Sequence, residues 1–187
     1  VTPCNECDSC NQINEKKSVD IIEIDAASNN GVDEIRELRN KATLVPTIGK
    51  YKVYIIDEVH MLTTGAFNAL LKTLEEPPAH IIFILATTEP HKIPQTILSR
   101  CQRFDFKKIS PVLMESHLRL IAQKENLNVE NSVYKEVTRL SDGCMRDALS
   151  IFDQVIAYSD DKITINDVHD INGTLPSDVL LEFFNSI

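Results

Sequence analysis

The run Lys52-Val53-Tyr54-Ile55-Ile56-Asp57-Glu58-Val59-His60 sets two adjacent carboxylates at the end of an apolar stretch. One such carboxylate can serve a magnesium ion on phosphate oxygens while the next primes a water, because Mg2+ is a hard cation that takes carboxylate, water and phosphate oxygens. At a buried strand end the two charges would repel each other and suffer desolvation unless a cation shared their site. The chemistry indicated is phosphoryl transfer, with ATP and Mg2+ as the expected cofactors. The competing explanation for the pair alone is a polar strand terminus without chemistry.

A second group that could do chemistry stands at the start of the chain. Cys4, Cys7 and Cys10 follow a C-x2-C-x2-C spacing, which can turn thiolates toward one ion in a tight loop, whereas Cys101 and Cys144 stand alone. Structural Zn2+ takes four ligands, so a zinc loop here needs one more, expected upstream of Val1. An iron-sulfur run would want a cysteine at position 14, which is Asn14. The other alternative is a set of unmetallated cysteines.

The elements that must position these groups alternate in type. Val19 to Ile24 is β-branched and apolar and reads as a buried strand, and Asn29-Asn30-Gly31 is turn chemistry. Asp33 to Lys41 is a charged helix with Ile35 and Leu38 on its inner face. A second helical stretch breaks at Pro46 and Gly49, and the Tyr51 to Ile56 strand follows. Gly65 to Glu76 carries Phe67, Leu70, Leu71 and Leu74 at helical spacing and stops at Pro77-Pro78. Ile81 to Leu85 is a further apolar strand, and Arg103 to Phe106 reads as a shorter one. Strands that are apolar throughout and alternate with helices predict a parallel α/β sheet covered on both faces. From Pro111 onward the periodicity is helical only, over Leu113 to Glu125, Ser132 to Leu140, Met145 to Tyr158 and Ile165 to Ile171. The expected division is therefore an α/β part over residues 1–110, including a cysteine loop at 1–17, and a helical part from 111.

The 187 residues are 43% hydrophobic and 25% charged, an ordinary globular composition. No apolar run approaches the roughly 20 residues of a membrane span, and the N-terminus lacks a basic, then apolar, leader, so a cytoplasmic protein without membrane association is expected. A formal charge of −9 argues against indiscriminate attraction to nucleic acid by the whole surface. The chain starts without Met inside the cysteine cluster, which suggests an excerpt of a longer protein.

Four motifs fall in a fixed order: Asp57-Glu58; the polar strand end Ala86-Thr87-Thr88-Glu89; the loop Leu98-Ser99-Arg100-Cys101; and Gly143-Cys144-Met145-Arg146-Asp147. With Ile24-Asp25-Ala26-Ala27-Ser28-Asn29-Asn30-Gly31-Val32-Asp33 and Ile56-Asp57-Glu58-Val59-His60-Met61-Leu62, they resemble the ATPase core of the AAA+ clamp loaders of the bacterial replicative polymerase, over essentially the whole chain. The resemblance implies a RecA-like parallel sheet with a zinc-loop insertion, a helical lid over 111–173 and the start of a third, collar domain over 174–187. It makes Asp57-Glu58 the Walker B element, with Asp57 as the outer partner of magnesium and Glu58 as the base or orienter of the attacking water. Thr88 stands where sensor 1 lies, with Thr87 as its alternate. Arg100 corresponds to an arginine finger offered to ATP on a neighbouring subunit, against the alternative of a surface salt bridge. Arg146 corresponds to sensor 2 on the lid, against an ion pair with Asp142 or Asp147. Implied partners are the other clamp-loader subunits, the sliding clamp, and primed DNA reached through the assembly.

The chain departs from the family in lacking the Gly-rich phosphate loop, since no Gly-x4-Gly-Lys-Ser/Thr occurs in it. That loop and its strand are expected upstream, and these residues alone are expected to be inactive and poorly stable. The function implied is an ATP-driven subunit that opens a ring clamp and loads it on primed DNA during replication. Alternatives are a related non-hydrolysing, delta-prime-like clamp-loader subunit, another AAA+ DNA-processing ATPase, and a zinc-stabilised DNA-binding module. The sequence Asp57-Glu58-Val59-His60 is also reminiscent of DEAH-type helicases, but the helical turn of the chain after Pro111 does not fit them. His60 is expected to pack or hydrogen-bond at the strand end.

Overall fold

Three short apolar segments, β1 (Ile21–Asp25), β2 (Lys52–Asp57) and β3 (Ile81–Leu85), lie side by side as a parallel sheet in the order β1-β2-β3, in a computed structural model that describes residues 2–159 and 162–174. Parallel neighbours cannot be joined by a tight turn and need a crossover, which helices supply here. α2 (Val32–Ala42) joins β1 to β2 and α3 (Thr64–Glu75) joins β2 to β3, while α1 (Asp8–Asn14) precedes the sheet. α2 has Asp33 and Glu34 in its first turn and Arg39 and Lys41 in its last, so its charges complement the helix dipole. α3 begins at Thr63, whose side chain accepts the Ala66 N–H, and ends before Pro77-Pro78.

The crossovers explain a departure from the expected covering. Successive parallel strands joined by crossovers of one hand place both helices on the same face. α2 and α3 accordingly pack together, and Ile35, Leu38, Ala42, Ala66, Phe67 and Leu70 form one core with Tyr54 and Ile56 of β2. Tyr54 and Phe83 stack across β2 and β3 with centroids 5.6 Å apart. The opposite face carries Ile55 beside Ile84 and Val53 beside Ile82. There Ile82 and Ile84 are 40% and 48% exposed, so α2 and α3 cover one face, while on the other a helix borders only the start of β1 and β2, where Ser9, Gln12 and Ile13 of α1 lie by Ile21 and Val53. Arg103–Phe106 forms no strand, because no ladder joins it to β1–β3; Phe104 and Phe106 are 70% and 97% exposed. The polar stretch after Cys10 is partly helical, as the end of α1.

The chain divides into two compact units between Phe104 and Asp105. The first also holds the short α4 (Gln95–Leu98). The second packs α5 (Pro111–Lys124), α6 (Asn131–Leu140), α7 (Met145–Tyr158) and α8 (Ile165–Asn172) around Met114, Leu118, Val133, Val137, Phe152, Val155 and Val168. These helices match their expected spans to within a residue or two. Arg119 lies over the Tyr134 ring at 4.3 Å, extending the core to a charged edge. The expected collar over 174–187 lies, apart from Thr174, outside the described residues.

Asp20, just before β1, is a structural residue that the sequence pattern did not single out. It is 4% exposed, and its carboxylate accepts the N–H groups of Thr47, Ile48 and Gly49 at 2.8, 2.8 and 3.0 Å. This anchors the loop that breaks at Pro46 to the entrance of β1 and β2. Burial alone would raise the Asp20 carboxyl, but the Gly49, Thr47 and Ile48 amides and the nearby Lys52 outweigh it and hold it below the usual carboxylate range. Asp20→Ala would remove the charged acceptor of three backbone amides and is expected to cost the full-length protein about 1–3 kcal/mol in chemical denaturation. Because the folded-state value is depressed, the stabilisation is complete above the unfolded value of about 3.9 and is lost as pH falls through the folded value, a dependence the variant should lack.

Candidate functional site

The end of β2 is fixed by its neighbours before any side chain acts. Ala26 N–H donates to the Asp57 carbonyl at 3.0 Å, Ala86 N–H to Ile56 at 2.9 Å and Val59 N–H to Ala86 at 2.9 Å. The three strand ends are thus stitched together, and loops leaving β2 and β3 lie side by side. Asp57 is exposed, and its Oδ1 accepts the Glu58 N–H at 2.9 Å. Glu58 has φ 46° and ψ 44°, a left-handed conformation that costs a non-glycine residue about 1–3 kcal/mol. That backbone turn ends the strand and starts a 3-10 turn at Val59–Met61, so the chain reverses and the Glu58 side chain swings toward the β3 end.

There the Thr88 hydroxyl donates to Glu58 Oε2 at 3.0 Å, with the Thr88 N–H at 3.4 Å from the same oxygen. Of the two candidate threonines, Thr88 therefore touches the acid, while Thr87 Oγ1 lies 3.0 Å from His60 Nδ1 and accepts the Glu89 N–H at 3.0 Å. His60 is a hydrogen-bonding residue at the strand end, as expected, and Glu89 is a participant that sequence reasoning missed. Lys92 Nζ lies 2.7 Å from Glu89 and, with the charges of His60 and His91, holds its carboxyl below the usual range. The signal available was Glu89 itself, an acid directly after the two threonines. The two acids of β2 lie at an open strand end rather than a buried one, so desolvation is not what demands a cation there. What the geometry offers is two carboxylates with separate surroundings: Asp57 facing solvent and tied to backbone, Glu58 tied to the neighbouring strand end.

Arg100, just past α4, makes the ion pair that its structural alternative called for. Nη2 lies 2.8 Å from Glu75 Oε1 at the end of α3, and Nη1 donates to the Thr96 carbonyl at 2.6 Å. The pair is partly exposed, at 34% and 48% of the two side chains, a setting in which ion pairs contribute about 0–1 kcal/mol. Next to it, burial pushes the Cys101 thiol up. Arg146 is exposed in the first turn of α7. Asp142, one suggested partner, is bound by Lys108 instead, and among the described residues no ion pair is formed by Arg146.

The three N-terminal cysteines converge. All three Sγ atoms lie within 4.8 Å of one another, with Cys4 and Cys10 3.7 Å apart and the Cys7 N–H 3.4 Å from Cys4 Sγ. Zn–S bonds of about 2.3 Å in a tetrahedron put sulfurs about 3.8 Å apart, which the Cys4–Cys10 separation matches. Backbone N–H groups of Glu6 and then Cys7 lower the Cys4 thiol to about 6, which favours the thiolate that a metal requires. Among the described residues no fourth ligand joins the cluster.

Comparison with known proteins agrees with this picture. Residues 1–110 match the family model described as DNA polymerase III, delta subunit, and residues 113–161 match the ATPase lid domain of the DNA polymerase III clamp-loader subunit. DNA polymerase III subunit tau of Bacillus subtilis is 57% identical over 173 residues, covering 92% of this chain and 31% of that protein. The tau subunit of Escherichia coli is 44% identical over 186 residues, covering 100% of this chain and 29% of that one. The chain thus spans about a third of the length of these relatives. Among solved structures, the RuvB Holliday junction branch migration motor of Thermotoga maritima aligns with a TM-score of 0.65 at 15% identity, covering 86% of this chain and 54% of that one. That similarity speaks to fold alone. With family models matching residues 1–110 and 113–161 and tau subunits aligned over nearly all of this chain, the chain belongs to the clamp-loader subunits of DNA polymerase III.

Proposed function

We propose that this chain is part of an ATP-hydrolysing clamp-loader subunit that opens a sliding clamp and places it on primed DNA. The observation that carries the hydrolytic part is the 3.0 Å contact between Glu58 at the end of β2 and Thr88 at the end of β3. Phosphoryl transfer asks the protein for positioning and charge neutralisation more than for covalent chemistry. Asp57, exposed and anchored through Oδ1 to backbone, is suited to a metal-bound water. Glu58, held by Thr88, is suited to orienting the attacking water. Magnesium, when bound with ATP, would neutralise charge developing on the phosphates. Arg100 would leave Glu75 for the nucleotide of a neighbouring subunit; the weak, half-exposed pair poses little obstacle to that exchange. Arg146, on a separate helical unit, would report nucleotide state through the angle between units.

The free edge of β3 and its apolar outer face, with Ile82 and Ile84, are where the strand bearing the phosphate loop would sit in the full-length protein. Cys4, Cys7 and Cys10 would hold a structural zinc, completed by one further ligand. No described helix is long and apolar enough to cross a membrane, and a cytoplasmic location fits the composition. A second reading, a non-hydrolysing subunit, draws on the delta-subunit description of the model matching residues 1–110. The paired Asp57 and Glu58 beside Thr88 favour the hydrolysing form.

In the assembled full-length complex, Glu58→Gln is expected to bind ATP with unchanged affinity and to lose steady-state turnover by about 100-fold or more. Arg100→Ala should also bind ATP normally yet lose about 1000-fold in clamp-stimulated hydrolysis, as finger removal does elsewhere. Undiminished turnover in both variants would exclude the mechanism. For the metal, elemental analysis of Cys7→Ser should show zinc lost together with a lowered Tm, and full zinc content in that variant would count against the cysteine loop as its site.

A further inference from the structure

His60 lies at the β2 end with only 7% of its side chain exposed, and the chemistry proposed above assigns it nothing. Its two ring nitrogens address two different carboxylates. Nδ1 stands 3.2 Å from Glu58 Oε2 and 3.0 Å from Thr87 Oγ1, while Nε2 stands 3.1 Å from Glu89 Oε2. Lys92 holds that same Glu89 oxygen at 2.7 Å, and His91 faces the other at 3.9 Å. Because Thr87 accepts the Glu89 N–H, the ring, the hydroxyl and the backbone after β3 form one connected set. The ring hydrogen-bonds Thr87 Oγ1, and a carboxylate oxygen lies within ion-pair distance of each of its nitrogens. A side chain fastened at both ends and almost out of solvent has little freedom to turn.

The consequence falls on Glu58. Its Oε2 takes the Thr88 hydroxyl and the Thr88 N–H and lies 3.2 Å from His60 Nδ1, while among the described residues no hydrogen bond or ion pair engages Oε1. A carboxylate pinned through one oxygen presents the other in a fixed direction, and a misplacement of about 1 Å in such a group can cost about 100-fold in rate. We infer that His60, braced by Glu89, is a positioning residue that fixes the aim of Glu58 toward the attacking water. This rests on the role proposed for Glu58 as the water-orienting group.

The test is steady-state ATP hydrolysis by the full-length protein in its assembled complex, with ATP affinity measured in parallel. His60→Asn keeps a polar group near the Nδ1 position, facing Glu58, whereas His60→Gln keeps one near Nε2, facing Glu89. His60→Gln should lower kcat by about 10- to 100-fold with KM for ATP within about twofold, and His60→Asn should recover part of the loss. Glu89→Gln, on an accessible loop, should lower kcat in the same direction, and combined with His60→Gln it should add little, as expected of residues acting as one unit. It also carries the test if a His60 variant does not fold. Wild-type kcat in His60→Gln and Glu89→Gln, a loss confined to KM, or equal losses in the Asn and Gln variants would overturn the inference. Glu58→Gln separates the two levels: if it loses turnover while His60→Gln does not, only the positioning role fails, and if it keeps turnover, the ATPase role of Glu58 fails and takes the positioning role with it.

Discussion

Everything at the candidate site depends on the parallel register of β1, β2 and β3. Asp25 pairs with Asp57 and Ile56 with Leu85, so the strands end together and their following loops emerge at one edge. The carbonyl of Asp57 and the amide of Val59 are both committed to neighbouring strands, which leaves Glu58 between two fixed points. Its left-handed backbone is the price of turning the chain there, and the turn is what brings its carboxylate to Thr88. A slip of one residue would send alternate side chains to the other face and separate the acid from the hydroxyl. The core beneath, from Tyr54 and Ile56 to Leu70 and Phe67, makes that register the stable one.

Much of this was legible in the residues. The apolar runs marked β2 and β3 closely, and helix breaks at Pro77-Pro78 and spacing such as Phe67, Leu70 and Leu71 located α3. The acidic pair and the threonines after β3 identified themselves because polar groups at the ends of apolar strands are conspicuous. Less visible was how they would meet. Alternation predicted sheet and helices but not that both crossovers would lie on one face, since strands apolar throughout look the same whether or not a given stretch of chain covers them. Ile82 and Ile84 therefore misled, and Arg103 to Phe106 looked like a strand although it joins no ladder with β1–β3. Asp20 and Glu89 escaped notice for a different reason. Their importance comes from three amides 27 to 29 residues away in one case and from an imidazole on another strand end in the other.

The structure also separates parts of the site by how firmly each is held. Glu58 is tied into a network that spans two strand ends, whereas Arg100 is held by a half-exposed ion pair and Arg146 is exposed at a helix start. A group that must keep a fixed aim on water benefits from restraint. Groups that must reach toward another subunit, or follow a moving unit, are better left loosely held. This division of rigidity matches the assignment of Glu58 to the chemical step and of the two arginines to communication.

The most direct test of the central claim, that the ends of β2 and β3 act as one catalytic unit, is the single-turnover rate of ATP hydrolysis in the full-length complex carrying Thr88→Val. The substitution keeps side-chain volume and removes the hydroxyl that holds Glu58 at 3.0 Å. The account predicts a chemical step slowed by about 10- to 100-fold at unchanged ATP affinity. An unchanged single-turnover rate would contradict it.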